Sequence, residues 1–180
     1  VTKFSSATVS GAVKLKIVPG KKYQIEISGS DADVKQFSVK VEQEKLVIEK
    51  AKNFNQEQEV KIQIIVPELT ELNLTGAVDC EAEISGQEKF VVYSKAAGEI
   101  FLSGHCGRLI INIDGAVNLD ASALAAETAV INAAGATNVK VNASKALDAS
   151  ASGAASIYYK NNPEKIVKNI DGAGSVNPIE

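Results

Sequence analysis

The chain has 180 residues, a formal net charge of −3 and one arginine, Arg108, with a pI near 5.4. This charge balance argues against a phosphate-binding surface, and so against nucleic acid as a partner, since nucleic-acid binders usually carry a concentrated basic patch. No apolar run approaches the roughly 20 residues that cross a bilayer as a helix, and the length suffices for a buried core.

The opening, Val1-Thr2-Lys3-Phe4, carries no Met, and there is none elsewhere. It reads as a processed or trimmed end, with which a secretion signal could have been removed. Four runs then alternate with period two: Val13-Lys14-Leu15-Lys16-Ile17, Tyr23 to Ile27, Phe37 to Val41 and Val60 to Ile64. Such runs put apolar residues on one face and charges on the other, as half-buried strands do. Pro19-Gly20, Ser28-Gly29-Ser30-Asp31 and the polar stretch Lys52 to Gln58 supply the turns, and Pro67 closes the last run. Residues 1–68 are therefore an N-terminal strand region.

From residue 69 a repeat takes over. Gly76, Gly98, Gly115, Gly135, Gly153 and Gly172 recur at roughly 20 residues, a spacing that signals stacked units sharing one core. Aligned on these glycines, the copies form columns. Four places on stand Leu15, Cys80, Leu102, Leu119, Val139, Ile157 and Val176, with Gly11 starting the series; two places on stand Val13, Val78, Ile100, Val117, Thr137 and Ala155. Between them fall the outward lists, Lys14, Asp79, Phe101, Asn118, Asn138 and Ser156, then Lys16, Glu81, Ser103, Asp120, Lys140 and Tyr158, with Phe101 the exception among polar neighbours. Alternation within a copy and likeness down a column predict an all-β fold, a β-helix or β-solenoid of roughly 20-residue coils over 69–178, within one domain spanning 1–180.

Candidate sites follow from the columns. Three places before the glycine stand Asn73, Lys95, Asn112, Asn132, Ser150 and Asn169, either a ladder of stacked amides or a solvated face. Asp114 and Asp171 share a column three steps apart, about 14 Å, too far for the paired carboxyls of a glycosidase. Asp120 and Lys140 on neighbouring copies read as a surface ion pair. His105, the sole histidine, aligns with Glu83, Ser122 and Asn142 and reads as solvated. Cys80 and Cys106 sit four and eight places past their glycines, an offset that favours two buried thiols over a disulfide. Asp31-Ala32-Asp33 lacks the further ligands of a calcium loop and reads as a turn. Asn73-Leu74-Thr75 and Asn142-Ala143-Ser144 match the glycosylation sequon by a pattern common by chance. Of Tyr158-Tyr159, Tyr158 falls in the outward column, where it either stacks on a sugar ring or caps the end of the stack. Tyr158 is the one tentative binding residue; no catalytic, metal or cofactor residue is assigned.

Three stretches carry a family resemblance: Phe4-Ser5-Ser6 with Ser10 to Leu15; Ile65-Val66-Pro67-Glu68-Leu69-Thr70-Glu71-Leu72-Asn73-Leu74-Thr75-Gly76; and Ser152 to Lys160, Asn162-Pro163 and Asp171 to Val176. Together they resemble the "putative autotransporter-adhesin, head GIN" domain of Bacteroidetes envelope proteins over nearly the whole chain. This chain departs in repeating Ala after the turn glycine, where the family often has Gly or a small polar residue. The resemblance implies a β-helix-like fold and export to the periplasm, outer membrane or cell surface behind a signal peptide or lipoprotein segment, with the membrane reached only through such a removed N-terminal anchor. The resemblance brings no catalytic residues or cofactor. The expected role is a non-enzymatic surface module binding glycan or protein surfaces. A purely structural envelope protein and a polysaccharide-active enzyme are the alternatives, and pairing between chains through sheet edges stays open.

Overall fold

The computed structural model describes residues 2–52, 55 and 58–179 and is all-β apart from one helical turn. Within the polar stretch 52–58, positions 53, 54, 56 and 57 lie outside the described residues. The four alternating runs fall on β1 (Ser6–Pro19), β2 (Gln24–Ser28), β3 (Phe37–Glu42) and β5 (Val60–Val66). Between the last two, β4 (Lys45–Lys50) pairs antiparallel with β3, Glu42 opposite Lys45. Gln43 and Glu44 make that connection at φ 49° and 61°, the left-handed pair of a tight hairpin turn. Neither residue type advertises such a turn, so the sequence gives β4 no boundary. Asp31-Ala32-Asp33, expected as a plain turn, belongs to the single helical turn α1 (Asp31–Val34). Ser30 Oγ caps it by accepting the Asp33 N–H at 3.1 Å and donates to Asp33 Oδ2 at 2.6 Å.

β1 pairs in parallel with β4 and β5 along one edge and with β6 (Glu71–Ser85) along the other, Gly11 opposite Gly76. β6 pairs with β7 (Lys89–Gly135), Glu71 opposite Val91, and β7 with β8 (Asn138–Gly153), Asn118 opposite Asn138. Beyond β8 lie β9 (Ser156–Lys160) and β10 (Lys165–Gly172), and β11 (Ser175–Pro178) closes that edge against β9. All eleven strands form one sheet, its path running from β11 at one edge to β3 at the other. Drawn straight, the 47 residues of β7 would reach roughly 155 Å at 3.3 Å each. It bends instead at glycines of positive φ, among them Gly98 (140°) and Gly115 (153°), and folds back so that Gly115 lies against Ala96. The inward residues of successive rows, such as Leu72, Ile100, Leu119, Val139 and Ile157, bury together in one cluster.

Close backbone approach explains the glycine column. A Cβ on Gly135 would stand 2.5 Å from the Gly115 carbonyl oxygen, and one on Gly76 would stand 2.6 Å from that of Gly11. In the third row, however, the column holds Ala96 opposite Gly76, with Gly98 two residues later. Alignment on Gly98 is therefore two residues out of register. Cys80 faces Ile100 and not Leu102, Leu102 faces Ala82, Phe101 faces Glu81, and His105 faces Ser85 rather than Glu83. Tyr93, not Lys95, stands beside Asn73. The hydrogen-bond ladder and core filling set the register, and the bend slides two residues within it.

Candidate functional site

The corrected register assembles a groove that glycine alignment hides. Two outward columns run side by side across seven rows, two of them supplied by β7. One holds Ser28, Lys61, Lys14, Asp79, Glu99, Asn118 and Asn138; the other holds Glu26, Gln63, Lys16, Glu81, Phe101, Asp120 and Lys140. Between them the buried Leu15, Ile62, Cys80, Ile100 and Leu119 make the floor of a groove of about 790 Å³, within the size range of ligand sites. Phe101 stands in its middle with 43% of its surface exposed. Its place among polar neighbours was the signal in the sequence, although the two-residue slip set it one column away.

Several charges in the groove are paired. Lys14 Nζ lies 3.1 Å from Glu59, Lys16 Nζ 3.8 Å from Glu81, and Lys140 Nζ 4.0 Å from Asp120, so the expected Asp120–Lys140 surface pair forms. All are solvent-exposed pairs, each worth at most about 1 kcal/mol. Partial burial opposes ionisation of Asp120. Bonds from the Ser122 side chain and backbone N–H, with Lys140 and Lys160 nearby, outweigh it and hold the carboxyl below its ordinary range. Asp79 Oδ1 accepts the Glu99 N–H at 3.1 Å. Asp79 and Asp120 both line this groove, separated by two rows and two residues, roughly 12 Å between Cα atoms.

The remaining candidates are dispersed. Tyr158 does point outward, one row beyond Lys140 in the Phe101 column, half-buried between Lys140 and Asn177. Asp114 and Asp171 lie on another face, with Ala134 and Ser152 in the rows between. The amide column forms a ladder in part: Asn132 Nδ2 donates to Asn112 Oδ1 at 2.9 Å and Asn169 Nδ2 to Ser150 Oγ at 3.4 Å, while Asn73 turns to Glu71. Cys80 and Cys106 are buried free thiols. Burial pushes Cys80 up to about 12, with Glu81 adding to it, and Cys106 up to about 11. His105 is exposed. Among the described residues no three His, Cys, Asp or Glu side chains gather as a metal site, and no helix is long and apolar enough to cross a membrane.

The fold and groove define an all-β protein with a broad polar trough across parallel strands, centred on one aromatic ring. Residues 3–163 match the family described as "putative auto-transporter adhesin, head GIN domain", and the chain belongs to that family. In three dimensions it is similar to a putative adhesin from Bacteroides fragilis NCTC 9343, at 20% identity and a TM-score of 0.79 over 99% of this chain and 94% of that one. It is also similar to a putative lipid binding protein from Parabacteroides distasonis ATCC 8503, at 20% identity and TM-score 0.54 over 100% and 94% of the two chains. A putative adhesin from Parabacteroides merdae ATCC 43184 aligns at 14% identity and TM-score 0.55 over 100% and 93%. At these identities the likeness is one of fold. No curated protein matches the sequence.

Proposed function

We propose that this protein is a single-domain, non-enzymatic module of the bacterial cell surface that binds an extended glycan along the Phe101 groove. The observation that carries the reading is the outward column Phe101–Asp120–Lys140–Tyr158. It sets two aromatic rings three rows apart, about 14 Å, with a matched ion pair between them. Aromatic faces at the ends of a polar strip suit the apolar faces and hydroxyl edges of a short oligosaccharide. In this reading Tyr158 is the distal platform and Phe101 the principal one.

Register steps of 17 to 20 residues from β6 through β11 support winding as a β-solenoid, with the N-terminal strands covering its first row. Family membership supports export to the envelope or cell surface. Against catalysis stand the ion pairing of the groove's carboxylates, Asp120 with Lys140 and Glu81 with Lys16, and the lowered pKa of Asp120. Proton transfer in glycoside hydrolysis wants a carboxyl whose pKa is raised, not lowered.

The test is binding of the purified protein to an array of bacterial, dietary and host glycans at physiological salt. A saturable hit is expected, weakened about tenfold, or about 1.4 kcal/mol, by Phe101→Ala and less by Tyr158→Ala. A blank array, or a hit indifferent to both substitutions, would remove the glycan role from this groove. Release of reducing ends from any bound glycan would restore the enzyme reading.

A further inference from the structure

A second trough lies on a different face, across the glycine column from the first, and shares none of its lining residues. It encloses about 460 Å³. Tyr93 stands at one end, 43% exposed, and Asn169 at the other, four rows and about 19 Å away. Asn112, Asn132 and Ser150 occupy the rows between them. In the adjacent outward column the middle rows carry only Ala134 and Ser152, and the shortness of these side chains hollows the trough.

The amides are set with one half engaged and one half free. Asn132 Nδ2 donates to Asn112 Oδ1 at 2.9 Å. That bond fixes both side-chain planes and leaves Asn112 Nδ2 and Asn132 Oδ1, a donor and an acceptor in consecutive rows, for a ligand. Holding the amides in this way lowers the ordering cost of binding. The face has Asp114 and Asp171 against Lys95, so no cationic cluster draws an anion to it. Side chains alone line this face, with the backbone engaged in the ladders, so an added peptide strand has nothing to pair with.

We infer that this trough is a second glycan site, for a neutral, extended oligosaccharide whose terminal ring stacks on Tyr93 and whose hydroxyls bond to Asn112 and Asn132. The class of ligand follows the glycan reading above, but the site does not require the Phe101 groove to bind. Two such sites on separate faces make the protein bivalent, able to bridge two glycan strands and to gain avidity on a dense surface.

The experiment is an NMR titration of the whole protein with cellohexaose, xylohexaose and mannohexaose, with hexagalacturonate as the anionic comparison, in wild type, Phe101→Ala and Tyr93→Ala. With a neutral hexasaccharide, saturable shifts of the Asn112 and Asn132 side-chain amides are expected. They should persist in Phe101→Ala and weaken at least tenfold in Tyr93→Ala. An Asn132→Ala variant, exposed and so compatible with folding, should weaken the same site. Shifts confined to the Phe101 groove would overturn the second site and leave the first standing. Shifts at Asn112 and Asn132 without any at Phe101 would do the reverse. Shifts there with hexagalacturonate alone would overturn the neutral ligand, and silence at both faces with all four would overturn both sites.

Discussion

Cys80 and Cys106 illustrate how far one residue's burial reaches into the behaviour of the chain. Each fills an inward position that a small apolar residue would fill, and each has its pKa raised, to about 12 and about 11, chiefly by loss of solvation. In the unfolded chain these thiols return to ordinary values near 9. Below that pH both states hold the proton and the contribution to stability is whole. As pH rises through 9 toward 11 and 12, the unfolded chain releases protons that the folded one keeps, so stability falls. Denaturant titrations across pH 7–11 should show this decline, and Cys80→Val with Cys106→Val should make it shallower than wild type. The same burial predicts that thiol reagents label neither cysteine at neutral pH until the protein opens. Labelling of native protein at the rate of a free thiol, or identical pH slopes in both proteins, would show that these thiols are not sheltered.

β10 is the element whose environment breaks the pattern of the others. Its register sets Ile166, Lys168 and Ile170 beside the buried Leu147, Ala149 and Ala151, all inward positions, yet every residue of β10 is exposed because no further row covers it. Lys168 spans that open end: its Nζ donates to the Val176 carbonyl at 3.0 Å and sits 5.1 Å above the Tyr159 ring. An inward-pointing charge on an edge strand is a known guard against further stacking. Lys168→Ile would leave three consecutive inward isoleucines uncovered, and light scattering should find more concentration-dependent association in the variant than in wild type. A monomeric variant would mean that Lys168 guards nothing. Legibility follows the same element-by-element logic. The alternating runs of β1, β2, β3 and β5 were readable because charge and apolar residues exchange at each step, as were the outward placement of Tyr158 and the Asp120–Lys140 pair. β4 was not, because Gln43-Glu44 takes a left-handed turn without Gly or Asn. The Phe101 groove was half legible: the odd aromatic was visible, but its neighbours depended on Ala96 standing where a glycine was expected. A bend can slide along the chain while the ladder holds its register, and sequence spacing reports the bend.

At the scale of the molecule, the pairing scheme distributes stability unevenly. β7 is held by β6 on one side and β8 on the other, whereas β10 pairs only with β8 and β3 only with β4. An amide in an inner row exchanges only when the ladder holding it opens within the stack, with exposure of Ile111, Ile131 and other fully buried residues. An amide in β10 needs only its ladder with β8 to open, which uncovers one short row, Leu147, Ala149 and Ala151, beside a strand that is itself exposed. Opening from the edge is thus the low-energy route, and protection should rise from residues 165–172 through 138–153 to 89–135. Hydrogen exchange followed by mass spectrometry should find the β10 peptides exchanging about a hundredfold faster than those of β7 or more. The two proposed glycan sites sit at different depths on this gradient. Phe101 lies in the most protected strand, while the Asn169 end of the second trough borders the frayed edge. A ligand bridging Tyr93 to Asn169 should therefore slow exchange in β10 strongly, because it ties the edge to the interior. One in the Phe101 groove should leave β10 as it was. Equal rates across 89–172 without ligand would mean that the sheet opens as one unit, and the difference between the two sites would vanish with the gradient.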